Sequence, residues 1–161
     1  MKIGVAIRQA TQSEGELADA LLRIGERHRV DHDVYHLTRT LARKSRQGLE
    51  LLEPFADRYD TSVDADHGEP SEGLRATLRE KSSELLGNRP AAGALLLRDL
   101  RELHLLAAAA SIDWVSLAQG AQAAKDQDLV AAVTQCHATT LRILQWTTTR
   151  IEQTAPQILT S

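Results

Sequence analysis

Three histidines, His28, His104 and His137, occupy positions where an apolar helical stripe calls for leucine. His28 closes the run Leu17, Leu21, Ile24, the i, i+4, i+7 spacing of one buried helix face. His104 sits among Leu97, Leu100, Ala107, Ala108, Ser111 and Val115, and His137 between Val130, Val133, Leu141 and Leu144. Burial lowers an imidazole pKa and favours the neutral ring, which is the form that ligates metal. If the three rings reach one depth, they surround a cavity suited to iron, manganese or zinc, or to an anionic small molecule. The alternative is three rings satisfied separately inside a core, with Ser111 and Thr140 as candidate hydrogen-bond partners.

Other constellations are weaker on geometry. Asp33 and His36 are three residues apart and share a helix face, so both could reach one metal; Asp33 or Glu102 could also serve as an accessory ligand to the His28, His104 and His137 set. His28, His32 and His36 repeat every four residues, but His32 and His36 fall on the polar face with Arg39, Arg43 and Glu50. Glu102 and His104 diverge by about 160° around a helix, and Thr134 stands three residues before His137 where a carboxylate would be needed. Cys136 and His137 point about 100° apart, which is no nucleophile–base pair, and the lone thiol reads as buried and inert. Trp114 and Trp146 anchor a core or interface and need partners for their indole N–H groups. Asp113, on a mostly apolar helix, calls for an arginine from a neighbour. The chain has no P-loop, dinucleotide fingerprint, His-Glu-x-x-His or Cys-x-x-Cys.

The elements that must position these residues are helices. Ile3, Val5 and Ile7 alternate briefly, so residues 1–11 read as an arm that packs on the bundle or a second subunit. Helix 1 is expected from Ser13, with Glu14 and Glu16 in its first turn. The apolar stripe changes phase near Val30, which places a tight turn at Arg29–Asp31 with Asp31 capping a second helix that runs to about Tyr59. Residues 60–90 read as a crossover: an acidic loop with Gly68 and Pro70, a short helix near Glu72–Leu86, then Gly87-Asn88-Arg89-Pro90. A fourth helix, Ala91–Ala124, is apolar around most of its circumference and is expected to be the most buried. Lys125–Asp128 connects it to a fifth helix, Leu129–Ala155.

These elements predict one all-α domain over residues 1–161: a four-helix bundle of two antiparallel hairpins joined by a long crossover that carries a short extra helix. Apolar residues make up 42% and charged residues 25%, the composition of a globular chain rather than a disordered one. A net charge of −3 with 3% aromatics gives no footprint for nucleic acid. No apolar run approaches the roughly 20 residues of a membrane span, and the N-terminus lacks a secretory signal, so the expected compartment is the cytoplasm.

The layout, with His28-Arg-Val-Asp-His-Asp-Val-Tyr-His-Leu37, Leu103 to Trp114, and Cys136-His137 leading to Pro156-Gln157, resembles uncharacterised bacterial ferritin-like proteins over about residues 13–159. In the di-iron branch of that superfamily two helices each give a carboxylate and two each give a carboxylate-x-x-His pair. That set is incomplete in this chain. The resemblance therefore implies a non-catalytic binding or assembly bundle, expected as a homodimer. The alternatives are a metal-binding or redox protein that uses the core histidines, and a small-molecule-binding bundle.

Overall fold

The computed structural model describes residues 2–63 and 89–161, and every described element is a helix. They are α1 (Ile3–Arg27), α2 (His32–Glu50), α3 (Glu53–Arg58), α4 (Arg89–Ala123) and α5 (Gln127–Thr160). The expected helix at Glu72–Leu86 lies outside the described residues.

There is no N-terminal arm. α1 begins at Ile3, because Ile3, Ile7, Ala10, Glu14, Leu17, Leu21 and Ile24 form one continuous stripe at spacings of three and four. Ile7 is fully buried and Val5 points to solvent, so the short alternation was part of a helical pattern. At the other end the expected break holds: α1 stops at Arg27, and Asp31 caps α2 by accepting from the Val34 amide at 3.2 Å. Val30, however, is exposed rather than part of the second stripe. α2 ends at Glu50 instead of running to Tyr59, and α3 restarts after Leu51–Leu52 with Pro54 in its first turn, where the missing N–H costs no helical bond.

Cross-helix pairs define the packing. Glu14 meets Ser45 and Gly25 packs against Thr38 between α1 and α2; Ser13 meets Asp113 and Arg27 meets Asp99 between α1 and α4. Ser111 meets His137 and His104 meets Thr147 between α4 and α5; Cys136 meets Gly48 and Arg150 meets Asp31 between α5 and α2. In every pair one residue number rises as the other falls, so all four neighbour contacts are antiparallel. α1 and α5 therefore run one way and α2 and α4 the other. Gly4 lies against the Tyr59 carbonyl at one end of the bundle, whereas Gly93 lies against Ile158 at the other.

Two aspartates tie the hairpins together at opposite ends. Asp31, at the start of α2, also accepts an ion pair from Arg150 of α5. Asp126 caps α5 through the Leu129 amide at 3.1 Å and accepts from Tyr59 at 2.7 Å and Arg58 at 2.8 Å. The Tyr59 hydrogen bond, with Leu129 and Arg58, holds the Asp126 carboxyl below its ordinary range despite partial burial.

α4 is not buried all round. Leu100, Leu103, Ala107, Ala110, Trp114, Leu117 and Ala121 face inward, but Leu105 is 50% exposed, Ile112 65% and Val115 42%. Leu105 and Ile112 are seven residues apart and so share the face turned away from the core. On α5, Leu141 is 49% exposed. From Leu103 to Ala124 the single acidic or basic residue besides His104 is Asp113, and from Leu129 to Thr149 the single one besides His137 is Arg142. The outer α4–α5 face is thus an apolar, nearly uncharged strip. No helix among the described residues is long and apolar enough to cross a membrane.

Candidate functional site

A carboxyl stands in the interior of the bundle: Glu14, in the middle of α1, is only 1% exposed. Its Oε1 accepts from Ser45 Oγ of α2 at 2.6 Å. Its Oε2 accepts from Trp114 Nε1 of α4 at 2.9 Å and from Thr140 Oγ1 of α5 at 2.8 Å. Each of the four long helices contributes one residue, so the acceptor capacity of a buried carboxyl is met from all sides. This also answers the need of the Trp114 indole. Glu14 was expected in the first turn of a helix; its place seven residues from Ile7 and three before Leu17 was the signal that it faces inward.

Cys136 lies next to this centre, donating to the Gly48 carbonyl at 3.2 Å. Burial, with the charge of Glu14 adding to it, pushes its thiol up to about 12, so it is a packed, unreactive group.

A second buried carboxyl, Asp99 on α4, was not anticipated, because Arg98-Asp99 reads in sequence as an exposed pair. Arg27 Nη1 donates to both its oxygens at 2.9 and 2.8 Å, and His28 Nε2 donates at 2.8 Å. Burial works to raise the Asp99 pKa, but the hydrogen bonds from His28 and Arg27 and the Arg27 charge outweigh it and hold the pKa below the ordinary carboxyl value.

The three core histidines do not meet. His28 is committed to Asp99, His104 Nδ1 to Thr147 Oγ1 at 2.9 Å, and His137 Nε2 to Ser111 Oγ at 2.8 Å. Positions 99, 104 and 111 of α4 span about 18 Å of helix axis, so the rings occupy three levels. Thr147 gives its own proton to the Leu144 carbonyl at 3.0 Å and therefore accepts from His104, which fixes the proton on Nδ1. Burial lowers the His137 pKa against the opposing pull of Glu14. Of the two hydroxyls expected as partners of the core rings, Ser111 serves His137, whereas Thr140 serves Glu14 instead.

The remaining candidates separate in the same way. Asp33, His32 and His36 are exposed on α2, the two rings stacked at 6.1 Å between centroids. Glu102 pairs with Arg23 at 2.5 Å, and Asp113 accepts from Ser13 at 2.5 Å rather than from an arginine. Among the described residues no group of three or more His, Cys, Asp or Glu side chains is placed to hold a metal ion. The donor set at the centre of the bundle is one carboxyl with two hydroxyls and an indole N–H, and Trp114 can only donate. It does not fit a di-iron carboxylate centre. Comparison of the chain with protein-family models, with curated proteins and with solved structures found no match.

Proposed function

We propose that this chain is a non-catalytic, ferritin-like assembly module that works as a homodimer through the outer α4–α5 face. The observation that carries the reading is the strip of Leu105, Ile112, Val115 and Leu141, exposed on a face almost without charge. Exposed apolar surface of this kind marks an interaction site. The arrangement of one helical hairpin, a connection between opposite ends, and a second hairpin supports the ferritin-like reading. The inward groups support the non-catalytic part: Glu14, Asp99, His104 and His137 each hold a partner on another helix.

The second copy follows from complementarity. A charged partner would gain nothing from this strip and would lose its own hydration. The outer surfaces of α1 and α2 carry Arg8, Glu16, Asp33, Arg43 and Lys44, whereas the strip itself is apolar and uncharged. Its best match on this molecule is the same strip, turned about a two-fold axis so that two α4 helices cross near Ile112.

The test is the solution mass of two variants, Ile112→Glu and Leu141→Glu, by size exclusion with light scattering. Each change puts a charge at an exposed position, so helix content stays unchanged by circular dichroism. The wild type is expected at twice the 17.7 kDa chain mass and the variants at the single-chain mass. A dimer that survives both substitutions overturns the proposal. Stoichiometric iron, manganese or zinc in protein purified without an affinity tag, lost on His104→Ala, would overturn its non-catalytic part.

A further inference from the structure

The side of the molecule away from the apolar strip has the opposite character. α2 carries Arg39, Arg43 and Arg46 at i, i+4 and i+7, so the three guanidinium groups rise along one helix face. With Leu22 of α1 and Ala42, Gln47 and Glu50 of α2, they line a recess of about 290 Å³ between α1 and α2. We propose that this recess is a binding site for a small phosphate-bearing molecule.

The three arginines are differently committed. Arg46 is held by Asp19 at 3.2 Å, while its buried Nε has no acceptor among the described residues. Arg39 lies over the Tyr35 ring with its guanidinium carbon 5.3 Å from the centroid, a contact that leaves its N–H edge free to donate. Arg43 is exposed and forms no ion pair or hydrogen bond among the described residues. One arginine is thus fixed by a carboxylate, one is oriented by an aromatic ring, and one is open to a ligand. Guanidinium forks match the oxygen geometry of phosphate, and two or more converging forks bind it far better than a single exposed cation.

The shape argues for a small ligand rather than an extended polyanion. Leu22 and Ala42 give the recess an apolar lining, and the carboxyls of Asp19 and Glu50 bound the positive stretch. A nucleic-acid backbone or a lipid surface needs a basic track that continues, and here it is interrupted by acids. Lys44 and Arg142 line a neighbouring recess between α2 and α5 that shares Gln47 and Glu50 with this one, and neither lines the proposed site itself, so Arg142 serves as a control of equal charge.

The experiment is calorimetric titration of the full chain with inorganic pyrophosphate at physiological ionic strength, using wild type, Arg43→Gln, Arg43→Lys and Arg142→Gln. Saturable one-site binding is expected, weakened at least about tenfold by Arg43→Gln through loss of a charge-assisted hydrogen bond. Arg43→Lys keeps the charge but loses the fork, so it should restore only part of the affinity. Arg142→Gln should change it less than about twofold, the effect of a screened charge that does not line the site. Equal losses in Arg43→Gln and Arg142→Gln would show diffuse charge attraction and overturn the site. So would no binding by the wild type, or binding to phosphatidylglycerol vesicles without binding to pyrophosphate. The assembly reading concerns another face and stands or falls separately.

Discussion

Glu14 has a different effect on stability from any apolar core residue, because three donors depend on it. Replacing it with alanine leaves the Ser45 hydroxyl and the Trp114 N–H without an acceptor, leaves the Thr140 hydroxyl only the Cys136 carbonyl at 3.4 Å, and opens a void. The expected cost is about 3 kcal/mol or more, read as a lower urea midpoint. A combined Glu14→Leu, Ser45→Ala, Thr140→Val chain should recover most of that loss, since an apolar set of similar volume has nothing to satisfy. If Glu14→Ala unfolds at the wild-type midpoint, the four-helix hydrogen-bond centre contributes nothing. Asp99 gives the residue-scale pH dependence. Its folded pKa is lowered, so its contribution is fully present above the unfolded carboxyl value of about 3.9 and is lost as pH falls through the folded value. Asp99→Asn should therefore flatten the fall in stability below about pH 4, followed by urea unfolding at a series of pH values. These two carboxyls were hard to read because stripe analysis scores charged residues as outward; only the phase of Ile7 and Leu17 around Glu14 betrayed its direction. Of the histidine partners only Ser111 was legible, as a hydroxyl within one helical turn of the apolar positions around His104; Asp99 and Thr147 were not.

Close approach of helices is the matter at the next scale. A methyl group added to Gly25 of α1 would sit 2.0 Å from Thr38 Oγ1 and 3.1 Å from its Cβ, so α1 and α2 would have to separate. Gly25→Ala should destabilise the protein by about 1–3 kcal/mol, the range for overpacking. Thr38→Ala in the same chain should relieve much of it, and a thermal double-mutant cycle reads the coupling. Gly120 of α4 is the contrast: its nearest contact for an added methyl is Ile3 at 3.8 Å, so Gly120→Ala should be neutral or stabilising by up to about 1 kcal/mol. The break between α1 and α2 was legible from the phase change of the stripe and from Asp31 as a cap. The start of α1 was not, because Ile3, Val5 and Ile7 satisfy strand alternation as well as the i, i+4 spacing of a helix. The end of α2 at Glu50 has no sequence punctuation, since Pro54 sits in the next helix's first turn, where it is tolerated.

At the scale of the whole molecule, polarity is divided by direction. Inward polar groups are spent on one another, the α1–α2 side carries the charge, and the α4–α5 side is apolar. The all-helical hairpin architecture followed from periodicity alone, because 3.6-residue patterning over long segments is the strongest local signal a chain carries. The exposure of α4 did not follow, because an outward leucine and an inward leucine are identical in composition. Only packing shows that Leu105 and Ile112 have no helix over them among the described residues. Sedimentation velocity of the wild-type chain across a wide concentration range tests the central claim most directly. The account predicts a species of twice the 17.7 kDa chain mass, dissociating on dilution to single chains. One species of single-chain mass throughout that range would contradict it.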